Sequence, residues 1–174
     1  MHAQINEKPL DKIQDSVFKF IDSLKTVIIS SLNSKGQCVS SYAPFVREGD
    51  EIYLCLSSIA DHYSSLKANP NKASLLFLED ESTAKTILAR VRLSIKCEVD
   101  FIKDEAKRDE YFDKLAAKNP NESAFVYIKN MKDFYVVKAS LKQGRFVRGF
   151  GAAYDTLGLK VIKGLQEMYP HESR

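Results

Sequence analysis

The chain has 174 residues, 44% hydrophobic and 28% charged, with 26 Lys and Arg against 23 Asp and Glu and a net charge of +3. A chain of this length buries about 70% of its unfolded surface, which excludes whole-chain disorder, collagen-like repeats and coiled coil and removes any need for a structural metal. The interleaved charges lack the basic stripe of a nucleic-acid binder, so no nucleic-acid partner is expected.

Leu10, Ile13, Val17, Phe20, Ile21 and Leu24 fall on one helical face and predict a helix over about 10–24. A β-branched strand over 26–32 follows, then a turn at Asn33-Ser34-Lys35-Gly36, a strand over 37–45, a turn at Glu48-Gly49-Asp50 and a strand over 52–56. A short helix over 59–68 stops at Asn69-Pro70, and the nearly all-apolar run 72–79 reads as a strand buried on both faces. Ile87, Ala89, Val91, Leu93, Ile95, Cys97 and Val99 then alternate with polar residues, predicting one long strand with a core face and a polar face. A charged helix over 103–118 turns Tyr111, Phe112 and Leu115 inward. Asn119-Pro120-Asn121 breaks it before a short helix within 122–130. Strands over 133–141 and 145–154 come next, the second interrupted by Gly149 and Gly151. Leu157, Val161, Leu165 and Met168 predict a closing helix up to Pro170.

No apolar run approaches the ~20 residues of a spanning helix, and residues 1–11 lack the apolar stretch of a secretion signal. Cys38, Cys55 and Cys97 are odd in number and set in apolar stretches, the pattern of reduced, buried thiols in a cytoplasmic protein. The whole of 1–174 reads as one domain, with an N-terminal helix at about 10–24 and a C-terminal helix and tail at about 155–174. The fold class is mainly β with flanking helices (α+β), an antiparallel barrel of about six strands. Such a barrel is filled by its own side chains, so a ligand sits outside it, where two subunits meet. Arg90, Arg92 and Lys96 on the polar face of the 86–100 strand suit an anion; the same pattern is also what a solvated strand face looks like.

Searches for catalytic motifs return little. His2, His62 and His171 form no zinc spacing, Gly149-Phe150-Gly151 lacks the third glycine of a dinucleotide fingerprint, and there is no nucleophile elbow. His171 is either exposed tail or an imidazole on an arm long enough to reach a metal centre. His62 is a packed or capping residue or a functional one, and Asp133 is a turn residue or an acid at a strand edge.

Gly144-Arg145-Phe146-Val147-Arg148-Gly149-Phe150-Gly151-Ala152-Ala153-Tyr154 closely resembles the G-R-F-V-x-G-F-G-x-A-Y signature of the HugZ/HutZ-type haem-utilisation proteins. That family is part of the split-barrel, FMN-binding and pyridoxamine-phosphate-oxidase-like superfamily. Ser41-Tyr42-Ala43-Pro44-Phe45, residues 57–70 with His62, and Ala89-Arg90-Val91-Arg92-Leu93 resemble three further stretches, so the likeness runs from about Leu24 to the C-terminus. The resemblance implies a homodimeric split barrel with haem, at once substrate and cofactor, at the subunit interface. His171 would be the axial ligand of the iron. Asp133, from the other subunit, would hydrogen-bond that histidine, and Arg92 would stand on the opposite side of the haem. Phe146, Val147, Gly149, Phe150 and Gly151 of the signature would bind the cofactor, the glycines letting backbone approach the porphyrin. Arg90, Lys96 and Arg145 are assigned to the propionates by charge alone. Flavin-binding relatives offer a lysine from the helix after the third strand; here that helix carries His62, with Lys67 further along, which favours haem over FMN. Longer members carry an extra domain, and this chain resembles the short form.

The implied activity is oxidative haem degradation to a linear tetrapyrrole with release of iron. It would use O₂ and an external electron donor, with a haem-delivery protein as a possible partner. An FMN-dependent split-barrel oxidoreductase and a non-enzymatic haem carrier or storage protein are the alternatives.

Overall fold

Asn33 organises the first hairpin. Its side-chain carbonyl accepts from the backbone N–H groups of Lys35 (2.9 Å) and Gln37 (3.0 Å), and Gly36 takes a φ of 75° that a side chain would resist. The hairpin joins strands β1 (Thr26–Leu32) and β2 (Cys38–Glu48), and a turn through Gly49 leads on to β3 (Glu51–Ser57). The computed structural model describes residues 7–164. Helix α1 (Glu7–Ser23) precedes the hairpin; after β3 come α2 (Asp61–Ala68), β4 (Ala73–Leu78), β5 (Arg92–Phe101), α3 (Glu105–Lys118), α4 (Ala124–Ile128), β6 (Phe134–Val147), β7 (Ala153–Leu157) and β8 (Lys160–Gly164). Among the described residues no helix is long and apolar enough to cross a membrane.

The strands lie in the order β3-β2-β1-β4-β5-β6-β7-β8, and β3 also pairs with the first half of β6. That second pairing closes six antiparallel strands into a barrel and leaves β7 and β8 as an extension from the other half of β6. The interior is filled by side chains such as Ile29, Phe45, Leu54, Phe77, Leu93 and Phe146, each at most 1% exposed. Ile13, Val17 and Ile21 of α1 and Leu66 of α2 join this core. Gln14 ties α1 to the β7–β8 hairpin, its amide donating to the Leu159 carbonyl and accepting from the Val161 N–H, both at 2.8 Å.

A second cluster covers part of the barrel's outside. Tyr111, Phe112 and Leu115 of α3, with Phe125 of α4, bury Val46, Tyr53, Cys55 and Val136, and the Tyr53 and Tyr111 rings stack at 3.7 Å. Burial of side chains this large is worth roughly 1.5–3 kcal/mol each. Asp104 caps α3 by accepting from the Lys107 N–H at 2.7 Å.

Four sequence expectations are corrected. The strand expected over 86–100 begins at Arg92, and Ile87 and Leu88 stand 71% and 76% exposed. Residues 80–90 form an excursion clasped at its base: the Glu79 N–H donates to the Val91 carbonyl (2.8 Å), the Val91 N–H to the Glu79 carboxylate (2.9 Å), and the Arg90 guanidinium to the Glu79 carbonyl. Strand β4 is not buried on both faces, because Ser74, Leu76 and Leu78 are only half-buried. The closing helix predicted from Leu157 onward is instead the β7–β8 hairpin. Gly158, at a φ of 56°, turns the chain, Leu159 in the turn and Val161 in β8 are buried, and Leu165 and Met168 lie outside the described residues. Cys38 is exposed, while Cys55 and Cys97 are buried.

Candidate functional site

The α3–α4 layer covers one side of the barrel, including Val46 of β2, and leaves open the outward faces of the first half of β2, of β1, β4 and β5, and of the second half of β6. Strand register fixes what that face presents. Tyr42, Ile28, Leu76, Ser94, Arg145 and Asp155 are successive partners across β2, β1, β4, β5, β6 and β7, and so form one continuous row. At 4.7–4.9 Å per strand this row is about 24 Å long. One step along, Ser40, Ser30, Ser74 and Lys96 form a second row. One step the other way, Leu78, Arg92, Val147 and Ala153 form a third.

The middle row is apolar at one end and cationic at the other. Tyr42 is 67% exposed, and Ile28 and Leu76 are half-buried with nothing packed over them from the α3–α4 cluster. Arg145 is exposed; its Nε donates to Asp155 Oδ1 at 3.1 Å, which leaves its terminal nitrogens free for a ligand. Arg92 is half-buried, with Nη1 donating to the Arg90 carbonyl at 3.2 Å. Lys96 is exposed on the second row. A flat, amphiphilic anion matches this surface: apolar contact along Tyr42, Ile28 and Leu76, and charge pairing at Arg92, Arg145 and Lys96.

The segment 144–154 shapes one border of the face. Register between β5 and β6 shifts between Ile95 and Cys97, so β6 carries an extra residue there and bends. Gly144 follows the bulge and lets Ile95 and Thr156 approach closely on either side. Beyond Val147 the chain reverses through Gly149 and Gly151, at φ of 146° and 67°, with the Arg148 N–H donating to the Ala152 carbonyl at 2.9 Å. Phe150 stands 67% exposed at the tip.

The other predicted residues divide. Val147 faces outward beside Arg92. Phe146 faces inward, 1% exposed and 5.9 Å from the Phe20 ring, so its side chain serves the core and only its backbone borders the site. Arg90 is committed to the Glu79 carbonyl and, at 3.8 Å, to Glu81; its role is to hold the 80–90 excursion closed. Asp133 precedes β6, at the far end from Arg145 and Val147, about 40 Å away along the strand; its carbonyl accepts from the Ser58 N–H at 2.8 Å. One chain therefore does not bring Asp133 and Arg92 together. His171 lies outside the described residues.

His62, on α2, is 7% exposed with Nδ1 2.5 Å from Ser41 Oγ, and its Nε2 has no hydrogen-bond partner among the described residues. Burial pushes its pKa below the ordinary histidine value, with Asp61 opposing weakly, so it is neutral at neutral pH. The chemistry at this position of the helix is thus a buried neutral imidazole, not a phosphate-binding cation. Sequence reasoning did not single out Tyr42, Ile28 and Leu76, which line the candidate face. Their signal was present as the outward alternates of β1, β2 and β4, but alternation alone does not say which outward face a helix will cover.

The family model described as pyridoxamine 5'-phosphate oxidase matches residues 13–148. The chain is 29% identical over 162 residues to the heme oxygenase HutZ of Vibrio cholerae serotype O1, covering 91% of this chain and 89% of that protein. Among solved structures, Campylobacter jejuni ChuZ matches with a TM-score of 0.87 and 33% identity, over 94% of this chain and 67% of ChuZ. The crystal structure of Vibrio cholerae HutZ, described there as a heme storage protein, matches with a TM-score of 0.70 and 22% identity, over 78% of this chain and 94% of that one.

Proposed function

Because the chain belongs to the pyridoxamine 5'-phosphate oxidase family, in its HutZ/HugZ-type branch, we propose that it binds haem between two copies of itself and degrades it oxidatively, releasing iron. The observation that carries this reading is the open strand face, whose apolar row from Tyr42 to Leu76 runs into a cationic rim of Arg92, Arg145 and Lys96. Haem is flat, apolar across its ring and anionic at its propionates, so the donor set fits it.

When bound, haem supplies its own iron and the reactivity toward O₂ that opens the ring; electrons come from an external donor. The protein's part is to hold and orient. His171 is assigned to the iron. Asp133 of a second copy is assigned to the far nitrogen of that imidazole, where a carboxylate fixes the tautomer and raises ligand basicity, an effect worth ~10–100-fold at metal sites. The distance between Asp133, before the start of β6, and Arg92, paired on β5 with Val147 at the end of β6, supports a site assembled from two chains. Arg92, with donors left over from its bond to the Arg90 carbonyl, is assigned to the oxygen side. Arg145 and Lys96 are assigned to the propionates. Gly149 and Gly151 permit the turn that presents Phe150 beside the ring. The three free cysteines suit a reducing, cytoplasmic setting.

The buried neutral His62 favours haem over a flavin phosphate at the same face. Haemin titration tests the reading. Wild-type protein is expected to develop a Soret band that shifts or weakens in His171→Ala, and size-exclusion chromatography with light scattering is expected to give a dimer. Haem-loaded, reduced protein in air is expected to lose the Soret band and yield a linear tetrapyrrole with chelatable iron. A Soret band that persists through many equivalents of reductant would leave carriage or storage alone, and a purified flavin spectrum insensitive to His171→Ala would replace haem with FMN.

A further inference from the structure

A groove of about 610 Å³ opens at the other end of β5 and β6 from Arg92 and Arg145, between α2, the start of α3 and the segment 129–135. Its volume is in the range that small-molecule sites occupy. Three aromatic side chains form one wall: Tyr63 meets Phe101 edge-on at 5.2 Å between centroids and Tyr135 at 4.9 Å and a tilted angle. Tyr63 is buried, whereas Phe101 and Tyr135 are only half-covered.

Charge in the groove is lopsided. Lys67 Nζ sits 3.2 Å from Tyr63 Oη and 5.1 Å from the centre of that ring, so its two remaining N–H donors are available at the aromatic wall. Lys103 and Lys132 stand exposed around the opening, which Glu105 and Asp109 also line, so five cations face two carboxylates, one of them held by Arg108. Among the described residues, no carboxylate lies within ion-pair distance of any of these three lysines. Arg108, by contrast, is largely committed: four of its five N–H donors go to the carbonyls of Lys129, Met131 and Phe134 and to Asp109, at 2.8 Å, thereby pinning the 129–134 wall in place. The groove thus has a fixed frame, half-covered rings and unpaired cations. A purely apolar ligand would leave Lys67 unanswered, and a non-aromatic anion would leave the rings uncovered.

We propose that this groove binds a small planar aromatic anion, its ring packed against Tyr63, Phe101 and Tyr135 and its carboxylate or phosphate on Lys67. Within one chain the groove lies at the opposite end of β6 from the strand face; its 129–135 wall carries Asp133, which the haem reading assigns to the partner's site, but recognition of the anion rests on Tyr63, Phe101, Tyr135 and Lys67 and not on that reading.

The test uses 2-naphthoate as probe, with the neutral 2-naphthalenemethanol beside it, in isothermal titration of the full chain. Saturable binding of one naphthoate per chain is expected, about tenfold tighter than the alcohol, and about tenfold weaker in Lys67→Met, the usual share of a charge-assisted hydrogen bond. Tyr135→Leu is expected to weaken it likewise, with thermal melting confirming that both variants fold and haemin titration unchanged in Lys67→Met. No saturable binding would overturn the proposal. So would binding that survives Lys67→Met, including binding displaced by haemin or lost in Arg145→Ala, which would place the probe on the strand face.

Discussion

Gly144→Ala puts the packing beneath the signature segment to a direct test. Gly144 lies in β6 between Ile95 of β5 and Thr156 of β7. A β-carbon there would stand 2.8 Å from Thr156 Oγ1 and 2.9 Å from both Cβ and Cγ1 of Ile95. Non-bonded carbons settle at about 3.5–4.0 Å, so the deficit is roughly 0.6–1 Å on two sides at once. Neither neighbour can swing aside, because both are 1% exposed and the clashing atoms sit close to their own backbones. Strands β5 and β7 must therefore move apart, and overpacking of this kind costs typically ~1–3 kcal/mol. For a chain of this size each kcal/mol is worth about 2–4 °C in Tm, so about 2 kcal/mol lowers melting by roughly 4–8 °C. Differential scanning calorimetry measures this, with Gly164→Ala as comparator, since a β-carbon there meets only the Tyr154 ring, at 3.5 and 3.6 Å. The comparator is expected to melt within about 1 °C of wild type. The reasoning fails if Gly144→Ala also melts there, or if the two variants lose the same amount.

Three further outcomes follow from burial and hydrogen bonding. Burial pushes the Cys55 and Cys97 thiols up to about 12, so a disulfide reagent at pH 8 is expected to modify Cys38 rapidly in the native protein and the other two only on unfolding; fast reaction of all three would contradict the fold. The lowered pKa of His62 means that the unfolded chain takes up its proton first as pH falls, so wild type is expected to lose stability as the pH drops below about 6.5. That loss should be smaller in His62→Gln, as read from urea midpoints between pH 7.5 and 5; parallel curves would deny the burial of the neutral ring. Gln14→Ala strands the Leu159 carbonyl and the Val161 N–H and is expected to cost ~1–3 kcal/mol, while unchanged melting would mean that α1 is not anchored through this amide.

Much of the barrel is written in local chemistry. Asn33-Ser34-Lys35-Gly36 carries its own turn through the Asn33 side chain and the glycine's positive φ, and the α3 boundary is set by Asp104 and the inward trio Tyr111, Phe112 and Leu115. The errors arise where a local pattern is overruled at a distance. Ile87 and Ala89 continue the alternation of β5 back to 87, yet the clasp between Glu79 and Arg90 closes the loop before the strand begins, and that clasp joins residues 11 apart. Leu157 and Val161 have helical spacing, but the same residues serve a hairpin once Gly158 turns, and the deciding partner, Gln14, is 147 residues from Val161.

The site divides by the same logic. Among the candidate residues, the outward position of Arg92 follows from alternation, Val147 enters through the signature motif and Arg145 through its charge, and all three stand on the outward face of their strands. Phe146 belongs to the same motif but occupies the inward alternate, so the pleat assigns its ring to the core. Tyr42, Ile28 and Leu76 carried no separate mark, since their importance comes from what α3 and α4 leave uncovered. That uncovered row also bears on assembly. On the proposed haem reading, an apolar strip flanked by arginines on a small barrel, with Asp133 displaced to the far end of β6, would give a single chain half of each requirement: a surface for a flat ligand without the acid, and the acid without the surface. Two chains related by a twofold axis would supply both halves at each of two equivalent sites. A monomer that bound haem with an unperturbed Asp133→Asn spectrum would break that symmetry argument at its root.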